Sequence, residues 1–198
     1  MLHNISETIA SFFVQKQFIT KEQLTVYTYC FEFLLSILLF WTSIFLLAWV
    51  TGSIIPTLFY YVTFYIFRTA IGGYHAKTHL RCYILSMLTF SLFLIISHVL
   101  QFFAVHMFFT LPLLILSGIL IWRYAPIEHS NRPFTSQEYL KFRKRSRILL
   151  VAFSVVILGL HYSTQTQIYG FYVVYGITQA VISLLAAYKL TTRKELKS

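Results

Sequence analysis

Three stretches without a single Asp, Glu, Lys or Arg, from Phe33 to Phe67, Cys82 to Trp122 and Ile148 to Tyr188, limit what this chain can fold into more than any other feature. One helical membrane crossing takes about 20 apolar residues, so each stretch is nearly twice too long for a single span. Each also has a weak point near its middle where a helical pair can turn: Thr51-Gly-Ser-Ile-Ile-Pro56, the polar group from Gln101 to His106, and His161-Tyr-Ser-Thr-Gln-Thr-Gln167. The pattern predicts an all-α polytopic membrane helical bundle, with about six transmembrane helices in three hairpins. The span that ends near Arg68 is expected to be short, tilted or re-entrant. Composition excludes a soluble domain: aliphatic and aromatic residues make up 58% of the chain, charged residues 11%, and the mean hydropathy is +0.70.

The placement of charge supplies a topology. All sixteen Lys and Arg residues lie outside the three charge-free stretches, in the N-terminal segment, residues 68–81, residues 123–147 and the C-terminal tail. Basic loops stay on the cytoplasmic side of a membrane, so both termini and both basic loops are expected there, with the three midpoint turns outside. An even number of spans satisfies this rule, whereas an odd number would strand a basic block. The net charge of +10 does not call for nucleic acid, because the cations border spans and no nucleic-acid motif accompanies them. Membrane lipids with anionic headgroups account for most of the cations. The segment Lys141-Phe-Arg-Lys-Arg-Ser-Arg147 is the one expected to touch a negatively charged protein partner.

Residues 4–18 place Ile5, Ile9, Phe12 and Phe13 at helical spacing among polar residues, which predicts an amphipathic helix lying in the cytoplasmic interface within residues 1–22. A basic n-region followed by a compact apolar run is missing from the first residues, so insertion is expected through the first span and not through a cleaved signal. Without low-complexity tracts or evident sequence repeats, residues 1–198 read as one membrane domain with cytoplasmic loops at 68–82 and 123–147.

Chemistry concentrates in the first of these loops, Arg68-Thr-Ala-Ile-Gly-Gly-Tyr-His75-Ala-Lys-Thr-His79-Leu-Arg-Cys82. A thiol attacks only as the thiolate, and nearby imidazoles and cations favour that form; Cys82 has two imidazoles and three cations within this run. On an unbroken helix His75 and Cys82 would share a face but stand about 10 Å apart along the axis, too far for proton transfer. Gly72 and Gly73 allow the sharp turn that would bring them together. His79 would already neighbour Cys82 on a regular helix, so spacing alone leaves the base undecided between the two histidines. A zinc site formed by His75, His79 and Cys82 at i, i+4 and i+7 is a competing reading, with no fourth ligand nearby.

The set Arg68, Gly72, Gly73, His75 and Cys82, followed by a second cytoplasmic loop reading Ala125-Pro-Ile-Glu-His-Ser-Asn-Arg-Pro133, resembles the AgrB family of quorum-sensing peptide processors over nearly the whole chain. The resemblance implies a cysteine endopeptidase of the bacterial cell membrane that removes the C-terminal tail of an AgrD-like precursor peptide. It also implies that the enzyme promotes cyclisation to a thiolactone or lactone pheromone. Carried over, Cys82 is the nucleophile and His75 the general base; Arg68, Gly72 and Gly73 are supporting residues, and His79 has no role assigned by the family. No cofactor or metal is implied. Precursors of this kind carry an amphipathic leader and an acidic tail, for which Lys141, Arg143, Lys144, Arg145 and Arg147 offer a matching surface.

Several points stay open at the level of sequence. Candidates for holding the oxyanion are the backbone N–H groups of Gly72, Gly73 and Cys82 and the Arg68 side chain. Glu32, Glu128 and Asn131 could orient His75. Cys30 is expected to pack, and a disulfide to Cys82 is not expected on the reducing cytoplasmic side. Small residues Gly159, Gly176 and Ala180 leave room for a homodimer interface. A non-enzymatic transporter, with His98 and His161 along its path, is the alternative class of function, and it would tolerate loss of the Cys82 thiol.

Overall fold

A computed structural model describes residues 2–74, 78–102, 106–128 and 134–195, and the side chains of these residues except at 79, 106, 107 and 191–195. Its described elements are helices α1 (Leu2–Gln15), α2 (Leu24–Val50), α3 (Ile54–Ile71), α4 (His79–Phe102), α5 (His106–Tyr124), α6 (Ser136–His161) and α7 (Gln167–Glu195), with a 3-10 turn at Lys21–Gln23 before α2. The described residues contain no strand, so the all-helical expectation holds. The helix breaks at 51–53 and 162–166 coincide with two of the midpoint turns read from sequence, and α4 gives way to α5 at the third.

Among the described residues, four helical segments are long and apolar enough to cross a membrane: Lys21–Val50, Ile54–Ile71, Leu80–Phe102 and Gln167–Leu190. Their lengths follow from composition, since an uninterrupted apolar helix satisfies every backbone group internally and can be solvated by lipid. Of the six expected spans, the other two are shorter. The described apolar part of α5 is Phe108–Tyr124, and α6 devotes its first half to the basic segment and only residues 148–161 to an apolar run. The loops drawn from sequence also contract. Arg68 belongs to α3, Cys82 to α4 and the cations from Lys141 to Arg147 to α6, because a helix continues until something in the sequence stops it, as Gly72 does at the end of α3.

The chain divides into two compact units, Met1–Gly52 with Ala76–Phe90, and Ser53–His75 with Ser91–Ser198. In the first, α1 packs on α2. Ser6 and Ala10 are the buried positions of α1, small enough to let the two backbones approach, while Phe13 meets Phe31 with ring centroids 5.4 Å apart and His3 Nδ1 lies 3.2 Å from the Glu32 carboxylate. Ile5 and Phe12 remain exposed, as an interfacial helix requires. Tyr83 at the start of α4 is tied to α2 by a 2.9 Å hydroxyl hydrogen bond to Ser43. Most of α2 presents large apolar side chains outward, among them Phe33, Leu38, Trp41, Leu46 and Trp49.

The second unit is built around α7, which packs on α3, α5 and α6. Val173, Val174, Ile177, Ala180, Val181 and Leu184 form its buried face, meeting Phe67, Ala70 and Ile71 from α3, Leu114 and Ile121 from α5, and Ile157 from α6. Gly176 allows α7 to press against α3, since a Cβ there would stand 2.6 Å from the Tyr60 carbonyl oxygen. Tyr60 stacks on Phe93 with centroids 4.3 Å apart, and Thr178 shares a 3.1 Å hydrogen bond with Ser117 across the α5–α7 contact, the polar pairing common between membrane helices. Gly176 and Ala180 are thus consumed inside the bundle and are not available to a dimer interface; Gly159 faces open space.

Candidate functional site

The residues expected to carry chemistry fall at the end of α3, in the connection that follows it, and at the start of α4. Gly72 ends α3: its N–H donates to the Arg68 carbonyl at 3.2 Å and its φ is +78°, a left-handed value at which any Cβ is strained. Space imposes the same choice, because a Cβ on Gly72 would collide with the Ile127 carbonyl oxygen. Ile127 in turn donates its N–H to the Ile71 carbonyl at 3.0 Å, so the segment after α5 and the end of α3 lock together. At Gly73, φ is +148° and a Cβ would stand 2.6 Å from the Arg68 guanidinium and 2.8 Å from the Ser183 hydroxyl.

Tyr74 is then held at both ends of its backbone. Its N–H donates to the Ser183 carbonyl at 2.9 Å and to the Ser183 hydroxyl at 3.2 Å, and its carbonyl accepts from Arg68 Nη2 at 2.6 Å. A charge-assisted bond of this kind is about twice as strong as a neutral one. Arg68 therefore sends its guanidinium to the backbone of its own connection, with Gly73 making room. His75 and Lys77 lie outside the described residues, so the structure fixes the chain up to the residue before His75.

Further along the chain, Thr78 precedes α4 and caps it: its hydroxyl accepts from the Arg81 N–H at 3.3 Å and its carbonyl from the Cys82 N–H at 3.1 Å. Cys82 occupies the first turn of α4 as a free and exposed thiol. His79 opens the same helix, three residues ahead, although its side chain is not among those described. Of the three residues in the zinc reading, only Cys82 has a described side chain. Cys30, expected to pack, is instead exposed on α2, because that helix turns most of its surface away from its own unit.

Three of the four oxyanion candidates are committed elsewhere. The N–H groups of Gly72 and Cys82 are spent on helix ends and Arg68 Nη2 on Tyr74, which leaves the Gly73 N–H among the described residues. Glu32 takes His3, Glu128 is exposed, and Asn131 lies outside the described residues. His98, placed on a transport path by the alternative reading, has its Nε2 3.0 Å from the Ser53 hydroxyl at the head of α3.

The basic residues of α6 separate into two faces. Lys141, Lys144 and Arg145 are exposed, at the i, i+3, i+4 spacing of a single helix face. Arg143 and Arg147 are half-buried one turn apart, with Arg147 stacked 4.0 Å over the Trp122 ring. The start of the helix is set by a reciprocal cap between Thr135 and Glu138, visible in sequence as Thr-Ser-Gln-Glu. Ser183, by contrast, gave no signal in sequence, since one serine in an apolar helix looks like any other.

The sequence profile described as Accessory gene regulator B matches residues 6–184. A curated relative, accessory gene regulator protein B of Staphylococcus intermedius, is 26% identical over 146 residues, covering 73% of this chain and 72% of its own length. No solved structure matches the chain.

Proposed function

Because this chain belongs to the accessory gene regulator B family, a membrane family that takes part in processing a quorum-sensing peptide, we propose that it is the cysteine endopeptidase of such a system, with Cys82 as nucleophile and His75 as general base. The observation that carries this reading is Cys82 itself: within the matched family region it is an unbonded, exposed thiol in the capped first turn of α4. Support on the other side comes from the connection before His75, whose backbone is held by Arg68, Ser183 and two glycines that tolerate no side chain.

The reaction follows from these groups. His75 takes the thiol proton, the Cys82 sulfur attacks the scissile carbonyl of an AgrD-like precursor, and the peptide C–N bond breaks as the imidazolium returns its proton to the departing amine. The N-terminal part of the precursor remains on Cys82 as a thioester. A cysteine thiol or serine hydroxyl within the precursor then attacks that thioester, closing a thiolactone or lactone ring and releasing Cys82. Water would discard the thioester by hydrolysis, so a site beside the bilayer favours ring closure. The exposed cations Lys141, Lys144 and Arg145 are the surface suited to the acidic tail of the precursor, with both termini of the enzyme on the cytoplasmic side.

The test is co-expression with the small precursor and mass spectrometry of the released tail for the parent, Cys82→Ser, His75→Ala and His79→Ala. Tail release should vanish in the first two variants and survive in the third. Equal processing by all four would remove the loop from the chemistry and return the transporter reading.

A further inference from the structure

The half-buried cations of α6 have no part in the peptide capture proposed above, and one of them, Arg147, sits over Trp122 at the end of an apolar groove. Between α5 and α6 of the second unit runs a groove of about 380 Å³ lined by Leu114, Ile115, Gly118, Ile119, Trp122 and Leu150. Ser154 also reaches it, but its hydroxyl donates to the Leu150 carbonyl at 2.7 Å and offers no polar demand to an occupant. Gly118 keeps the middle open: a Cβ there would already touch the Leu150 methyl groups at 3.6 and 3.7 Å. Trp122, at the end of the groove, carries the Arg147 guanidinium on its ring face, and the Nε atoms of Arg147 and Arg143 are buried without a hydrogen-bond partner among the described residues.

We propose that this groove and Arg147 together bind an anionic glycerophospholipid, with one acyl chain along α5 and α6 and the phosphate against the guanidinium. A lining of aliphatic side chains, one glycine and Trp122 suits an acyl chain. The chemistry is that of an amphiphile with a single charged end, since the groove is apolar throughout and meets positive charge at one end only. Arginine is the suitable cation: stacking on Trp122 fixes its plane while its N–H edge stays directed at a phosphate, which a lysine could not reproduce. A zwitterionic headgroup would bring its own ammonium toward the guanidinium and bind less well. The site rests on contacts within the second unit and does not depend on the peptidase reading.

The groove-lining Trp122 provides its own reporter. In a Trp41→Phe/Trp49→Phe background Trp122 is the sole tryptophan and is excited selectively at the red edge, and its quenching can be titrated in nanodiscs with dibrominated phosphatidylglycerol or dibrominated phosphatidylcholine. Half-quenching is expected at an about fivefold lower mole fraction of the anionic lipid, the factor that one basic residue near an anionic headgroup confers. Arg147→Gln should bring the two lipids to equal quenching, and Gly118→Leu should weaken both while keeping their ratio. Retained quenching by the phosphatidylcholine probe shows that the Arg147→Gln protein is inserted. Should it fail to insert, Arg147→Lys replaces it, with a preference below half that of the parent. Equal quenching in the parent, an unchanged ratio in Arg147→Gln, or full relief of quenching by added precursor peptide would each overturn the lipid site.

Discussion

The end of α3 and the start of α4 flank the same short connection in the chain, yet they are held in different ways. Gly72, Gly73 and Tyr74 are fixed by groups distant in sequence, Ile127 after α5 and Ser183 on α7, together with the Arg68 side chain. Cys82 depends mainly on its own helix, through a Thr78 cap and a carbonyl bond one turn back, with one tie to α2 from its neighbour Tyr83 to Ser43. One side thus has a backbone that tertiary contacts allow no freedom, and the other an accessible side chain on a locally determined scaffold. The peptidase reading proposed above calls for both, since a nucleophilic thiol must be reachable by the substrate while the chain leading to its base must not drift.

Substitutions on the two sides should therefore fail differently. Cys82→Ser should give the largest effect on tail release, roughly a thousandfold or more, as expected for loss of a nucleophile. Thermal unfolding in detergent should stay at the parent value, and unfolding at lower temperature would mean that the thiol is structural. Next, Gly72→Val should lower processing and stability together, by about 3 kcal/mol or more, because strain at positive φ adds to the collision with Ile127. A fully stable Gly72→Val protein would break the comparison at its firmest point.

Smaller effects sharpen it. Arg68→Leu removes a charge-assisted bond to the Tyr74 carbonyl, for which about 1.5–3 kcal/mol is typical, so processing should fall about tenfold or more while Arg68→Lys recovers part of the loss. Ser183→Ala removes only one of two acceptors for the Tyr74 N–H, and a reduction of a few-fold is expected. Thr78→Ala should cost about 1 kcal/mol of helix start. Its readout is the alkylation rate of Cys82, which should change for Thr78→Ala and not for Ser183→Ala. Equal changes in both variants would mean that the two sides are not separately held.

Legibility in the sequence followed the range of the forces involved. The helical class, the positions of the turns and the short amphipathic α1 were readable because hydropathy and charge act locally and accumulate over many residues. The motif around Cys82 was readable from residue types. Element ends were misplaced: the loops at 68–82 and 123–147 contract to the connections between Ile71 and His79 and between Tyr124 and Ser136, although the Thr135–Glu138 cap was visible in sequence. The five cations of α6 read as one surface until the helix divided them, three exposed and two half-buried, with Arg147 over Trp122. Cys30 and the small residues of α7 exchanged environments for the same reason, since periodicity gives a face but not what the face meets.

By itself the sequence determined that this chain enters a membrane as helices, where those helices turn, and that its one concentrated set of thiol, imidazoles and cations runs from Arg68 to Cys82. Those properties follow from transfer free energies and side-chain chemistry, which belong to each residue wherever the chain goes. The tertiary structure alone decided that Ser183 and Ile127 hold the connection before His75, that Arg68 is spent on the Tyr74 carbonyl, and that Gly176 and Ala180 lie inside the bundle. These are contacts between helices, set by which faces pack, and a linear pattern of apolar residues cannot distinguish a face covered by protein from one covered by lipid.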